Sequence, residues 1–278
     1  MKHINEDSAV VGIVSAILLV GLFVTVFTII QTVYVPQWME QRESEHLSNT
    51  ASQFMLLKFA IDTQIVSKST LSITTPITLG NDKIPYFLSE RSYGSLEVTP
   101  NSQTISIRNS STTLSFKLGD IKYSSRNNYY VDQKFIYENG AIIVSQQQGS
   151  IMTSPGFFSV KKSGNILNIS FTLVNISSIE SKNSAYGYST ASILTKYDPT
   201  YDISKEIKDV SKITITTSYS KVWKKFFEKI LDETGLKENN DYTLTENSNS
   251  ITINFNKSNT LQLSVKKIIT QISPGWIS

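Results

Sequence analysis

Residues 9–30 of the chain, AVVGIVSAILLVGLFVTVFTII, contain neither a charge nor a proline. As an α-helix these 22 residues span roughly 33 Å, enough to cross a hydrocarbon core of about 30 Å. Ser15, Thr25 and Thr28 are the polar members, and each hydroxyl can bond back to its own helix. Gly12 and Gly21 suit close packing between membrane helices. A secretory signal has an apolar core of about 7–15 residues followed by a small-residue cleavage site. Here the core is longer, and QTVYVPQW follows it with no such site. Tyr34 and Trp38 match the aromatic belt at a membrane surface. The sequence therefore predicts a retained, single-pass membrane helix in contact with lipid.

The helix is expected to continue. Pro36 should kink it or start a new helix. Beyond it Leu47, Ala51, Phe54, Ile61 and Ile65, with Lys58 in the same series, recur in steps of four and three, a helical stripe. Glu40, Arg42, Glu43 and Glu45 are read as coating the solvated faces, and His46 as a solvated helix residue. STLSITTP (residues 69–76) should end the helix. The expected organisation is a leader over 1–8, a long kinked helix over 9–68 with its membrane part at 9–30, and a β-rich domain over 69–278. The domain has a candidate internal boundary in the long connection 184–202.

Composition supports that domain reading. Net charge is only +3, too small to argue for a nucleic-acid partner. The absence of cysteine excludes disulfides, zinc–thiolate sites and thiol catalysis. Short alternating runs recur at 96–100, 104–109, 113–119, 134–146, 157–177, 212–219, 250–256 and 260–268, as in an antiparallel sandwich. Asn139–Gly140 and Ser163–Gly164–Asn165 mark two hairpin turns. From residue 69 onward the strands are expected to bury their own alternating face. One helix interrupts them. SKVWKKFFEKILDETG (residues 220–235) pairs Val222/Trp223, Phe226/Phe227 and Ile230/Leu231 at steps of four, with Ser220 as N-cap and Gly235 as C-terminal stop. Its stripe should pack on the sheet, leaving Lys221, Lys224, Lys225 and Lys229 in solvent. The fold class is thus α+β: a long N-terminal helix, then a mainly antiparallel β-sandwich-like domain with one short amphipathic helix.

Chemistry is sparse. No phosphate loop, dinucleotide fingerprint or His-Glu-x-x-His occurs, and His3 and His46 are the two histidines. The Glu40/Glu43 pair reads as a solvated face rather than a metal site. YDPTYD (residues 197–202) offers oxygen ligands for calcium but reads better as a turn. No catalytic residue, cofactor or metal is assigned. Candidate N-glycosylation sequons begin at Asn109, Asn168, Asn175 and Asn256, which fits an extracytoplasmic surface.

Ser8-Ala9-Val10-Val11-Gly12, followed by the apolar helix, resembles the start of archaeal type IV pilin-like proteins, whose motif is of the kind Ser-Pro-Val-Ile-Gly; here alanine stands for proline. Residues 34–64 look like the second half of the pilin-type long helix in large archaeal surface members, and 137–160 and 219–236 look like segments of those proteins. The chain departs from the pattern in its leader, where Lys2 is the only Lys or Arg. The resemblance implies cleavage before the apolar helix by a prepilin-type peptidase. It further implies assembly or anchoring through that helix beside pilin-like subunits or other envelope proteins, and a structural or adhesive role at the cell surface. Two other readings stay open: a non-assembling anchored ectodomain that binds a cell-envelope or environmental ligand, and an anchored glycan hydrolase, which needs a carboxylate pair in a cleft.

Overall fold

A computed structural model describes residues 4–81, 91–164, 166–179 and 182–274. Helix α1 (Ile4–Ile29) passes through one π-helical turn (Ile30–Tyr34) into α2 (Val35–Ser67). Pro36 explains the turn. It has no N–H for the Thr32 carbonyl and its ring would crowd that oxygen. The widened turn avoids the clash, and the Val35 N–H bonds Ile30 O instead. The proline thus disturbs the helix locally, at the place the sequence predicts, without ending it. α2 ends at Lys68 in the left-handed region (φ 52°), with its N–H on Gln64 O.

The strands are β1 (Ile73–Thr78), β2 (Tyr93–Asn109), β3 (Thr113–Arg126), β4 (Lys134–Glu138), β5 (Ala141–Gln146), β6 (Gly149–Ser154), β7 (Phe158–Ser163), β8 (Ile166–Ser178), β9 (Ser184–Gly187), β10 (Thr190–Lys208), β11 (Val210–Thr216), β12 (Tyr242–Asn247), β13 (Ser250–Phe255) and β14 (Asn259–Pro274). Helix α3 (Ser220–Glu233) lies between β11 and β12. The smaller sheet has the order β1-β10-β14-β8-β7. The larger has the order β12-β13-β11-β2-β3-β4-β5-β6, with β9 beside the first half of β2. Among the described residues every strand pair is antiparallel except β14 with β8. The chain is therefore α+β, a long apolar helix followed by curled, mainly antiparallel sheets.

Several strands are longer than their alternating runs suggest. The runs at 96–100 and 104–109 are one strand, β2, broken in register between Thr99 and Gln103. The stretch 184–202, expected as a connection, is instead β9 and the first part of β10, which has its own irregularity between Asp198 and Ile203. These irregularities fall where two cores meet. β2 puts Leu96 and Val98 in one core and Ile105 and Ile107 in the other; β8, β10 and β14 cross in the same way. The two cores thus share both sheets, and no linker separates them.

Each core is completed by a helix. α2 adds Leu47, Phe54, Leu57, Ile61 and Ile65 to the first. The strands therefore do not bury their face alone, contrary to the expectation for residues 69–278. α3 adds Trp223, Phe226, Phe227 and Leu231 to the second, so its stripe packs on the sheets as expected. Ser220 does not cap it: Tyr219 holds that position without a side-chain bond, and the Ser220 hydroxyl donates to Ser248 O. Gly235 stops the helix at φ 75°, with its N–H on Asp232 O and the Leu236 N–H on Leu231 O.

Candidate functional site

α1 is the first candidate. Val10, Leu18, Phe23 and Phe27, on different sides of the helix, are all exposed, so the apolar surface runs all round rather than as a stripe. It is one helix long and apolar enough to cross a membrane. Thr25 and Thr28 donate to the carbonyls four residues back, Gly21 O and Val24 O, which satisfies their hydroxyls within the helix. Gly12 and Gly21 face open space: a Cβ at either would meet nothing within 4 Å. Ser8 and Ala9 belong to the same helix, as do residues 4–7 of the expected leader. Met1, Lys2 and His3 lie outside the described residues.

The junction between α1 and the sandwich is the second. Val35, Met39, Glu43, Leu47 and Thr50 are buried, whereas Glu40, Arg42 and Glu45 are exposed as expected. Glu43 is a correction, because its carboxylate is enclosed. Oε1 accepts the N–H of Asn128 (3.0 Å), and Oε2 accepts those of Tyr129 (2.8 Å) and Tyr130 (2.6 Å). One turn on, His46 is also buried rather than solvated. Its Nε2 lies 3.0 Å from the Tyr123 hydroxyl, which donates to Leu79 O (2.7 Å). With the phenol proton committed there, Nε2 carries the proton of the shared bond. Burial holds the His46 pKa below its ordinary value, against a weaker pull from the Leu79 carbonyl. The helical stripe itself signals Glu43. Continued backward from Leu47 in steps of four, it passes Glu43, Met39 and Val35.

A third cluster surrounds the tight turn Asn139–Gly140 (φ 47° and 80°), which joins β4 to β5 as predicted. Lys58 of α2 donates to Gly140 O (2.6 Å) and pairs with Asp62 (2.7 Å). Asn139 Oδ1 accepts the Val174 N–H (2.9 Å). Glu138 Oε1 accepts from Trp223 Nε1 (2.6 Å) and Thr217 Oγ1 (2.8 Å). Burial pushes the Glu138 pKa up to about 7 despite those two donors, and pushes Asp120, opposite it on β3, upward as well. The turn thereby ties α2, β8 and α3 together across the seam between the cores. Glu138 and Asp120 are enclosed carboxyls, not a pair flanking a cleft. The second predicted hairpin, β7 to β8, closes with Ser163 opposite Ile166; Asn165 lies outside the described residues.

The carboxylates of residues 197–202, read from the sequence as a turn rather than a calcium site, have protein partners. Asp198 accepts from Thr200 and pairs with Lys267. Asp202 pairs with Lys68 and Lys266 and accepts from Tyr197, so three lysines already neutralise the candidate calcium loop. Among the described residues no group of three His, Asp or Glu could hold a metal ion. Of the sequon asparagines, Asn168 and Asn256 are exposed. Asn109 Oδ1 accepts from Ser111 and Thr112 within its own turn, and Asn175 Oδ1 accepts the Gly119 N–H. An open groove of about 450 Å³ separates β6 from α3, lined by Ile151, Met152, Val222, Phe226, Lys225 and Lys229 among others.

No curated protein and no solved structure matches the chain. One family model does, over residues 8–271, a span that includes the apolar helix as well as the sandwich. The chain belongs to the family of unknown function DUF7289.

Proposed function

We propose that this chain is a membrane-anchored surface protein of archaeal type IV pilin-like kind, structural or adhesive, held in a membrane or filament by α1 with the sandwich facing outward. The observation that carries the reading is the continuous helix. Its first half is bare on every side, and its second half is built into a folded body from Val35 onward. A cut after the apolar core would sever that body from its helix, whereas a cut before it leaves a helix free to pack beside identical helices. Gly12 and Gly21, open on their surface, allow close approach in that packing. In this reading a prepilin-type peptidase removes the leader within residues 5–8. Membrane lipid, pilin-like subunits or other envelope proteins are the partners, and Asn168 and Asn256, the exposed sequon positions, carry glycans.

The test is Val20→Asp in the native host. A charge at that depth costs about 2.5–3.5 kcal/mol on insertion scales and should abolish both membrane retention and any filaments released by shearing. Unchanged retention would refute the anchor. Wild-type protein recovered from membranes but never in sheared filaments would favour a non-assembling anchored ectodomain.

A further inference from the structure

A strand at the end of a sheet offers unpaired N–H and C=O groups to any other chain, and charges or proline ordinarily blunt it. Of the strands that end the two sheet orders, β1 contains Pro76, β7 contains Lys161 and Lys162, and β12 contains Glu246. β6, GSIMTS, contains neither a charge nor a proline. It pairs with β5 through a tight turn that closes at Gln146 and Gly149. Gly149 and Ile151 therefore bond inward to β5, and Ser150 and Met152 turn their backbone groups outward. Among the described residues those outward groups meet no other backbone partner.

The outward edge opens on a long groove against α3. A cavity of about 450 Å³ is followed by a second of about 400 Å³, and Ser150, Val222 and Lys225 line both. Their walls run from residue 148 to 155 on one side and from 218 to 233 on the other, so strand and helix advance side by side. Consecutive residues 150–153 line the first cavity. Because strand side chains alternate between faces, the backbone edge itself forms that wall. The floor is apolar, from Met152, Val222, Phe226 and Ile230, and Ile151 beside it is 62% exposed. Lys221, Lys225 and Lys229 follow at steps of four along the α3 side. Lys229 pairs with Glu233 at 3.9 Å, both side chains being exposed. Among the described residues Lys221 and Lys225 pair with no carboxylate.

We propose that this groove takes an extended acidic peptide segment of a partner protein as an added strand on β6. The backbone of such a segment bonds Ser150 and Met152 and prolongs the larger sheet. Its side chains alternate between two sides, apolar ones toward Met152, Val222 and Phe226, and carboxylates toward the lysines. The spacings agree. Four residues of helix rise about 6 Å and two residues of strand about 6.6 Å, so successive lysines meet every second residue of the segment. A wholly apolar segment would leave the ammonium groups unmatched, and a wholly ionic one would leave the floor and the strand edge unused. The site lies in the sandwich alone and does not require α1 to be an anchor.

The probe is a fluorescein-labelled synthetic peptide of alternating glutamate and valine, titrated into the full-length protein in phosphatidylcholine nanodiscs. Binding should saturate and should slow amide exchange across β6. The double variant K221Q/K225Q, with unchanged melting, should weaken binding at least about tenfold. Ser150→Pro removes an outward N–H and no bond to β5, and should weaken binding as well. A proline at the centre of the peptide should abolish it. Failure of the alternating peptide to bind would overturn the proposal. So would equal binding of polyglutamate or of the proline-interrupted peptide with β6 exchange unchanged, because charge alone would then account for it. Shielding of the α3 lysines from acetylation by phosphatidylglycerol but not by the peptide would assign them to a lipid surface and would also overturn it.

Discussion

Glu43 on α2 accepts the backbone N–H of Tyr130 at 2.6 Å, across a sequence separation of 87 residues. With Asn128 and Tyr129 on the same carboxylate, this is the contact that fixes the lower end of the sandwich to the helix emerging from α1. Glu43→Ala would leave three backbone donors without their acceptor. The expected cost is roughly 3 kcal/mol or more, since each buried donor left unpaired costs about 1–3 kcal/mol. Glu43→Gln, which keeps an acceptor oxygen, should cost less. Thermal melting of the two variants measures both, and equal, small losses would show that the loop holds itself.

The cores fix where a soluble fragment can begin. Removing α2 strips five large apolar side chains from the first core, at about 1.5–3 kcal/mol each, a sum comparable to the stability of a whole domain. A fragment starting at residue 35 should therefore melt cooperatively, whereas one starting at residue 69 should not. Circular dichroism on the two fragments checks this directly.

Much of this architecture can be read from the residues. A charge-free run of helical length has few soluble uses, Asn139–Gly140 is nearly obligatory for a two-residue turn with positive φ, and the α3 stripe repeats cleanly at four. The junction is harder to read. Glu43 and His46 stand among Glu40, Arg42 and Glu45, which are exposed, and their partners lie 77 to 87 residues away. Helical periodicity marks the face but does not supply the acceptor's partners. The same non-locality hides the parallel pairing of β14 with β8. The bulges in β2 and β10 make single strands look like two short ones, or like a connection.

Two buried groups set opposite pH dependences. Glu138 has a folded pKa of about 7 against an ordinary value of 4.5. Its contribution is fully present below about pH 4.5 and is lost by about pH 7, on the order of 3 kcal/mol. His46 has a lowered pKa, so its contribution is present above pH 6.5 and is lost as the pH falls below that. Relative to wild type, Glu138→Gln should remove the decline between pH 4.5 and 7, and His46→Gln should remove the acid-side loss. Denaturant titrations across that range give both differences. Parallel curves for wild type and Glu138→Gln would show that the carboxyl is ionised in the fold.

α3 is held by its aromatic face. Phe227 is fully buried against Trp223 and Phe158, so Phe227→Ala should cost roughly 3–5 kcal/mol. Lys225→Ala should change stability by less than about 0.5 kcal/mol. Trp223→Phe removes one of the two donors to Glu138 and should cost about 1.5–3 kcal/mol. Urea midpoints of the three variants rank these effects, and a large loss from Lys225→Ala would contradict the packing.

The most direct measurement is mass spectrometry of the N-terminal peptide of the protein extracted from its native membrane. Retention of α1 as a processed, pilin-like anchor predicts a mature chain that begins within residues 5–9 and still contains 9–30. A mature chain beginning after Ile30 would contradict it.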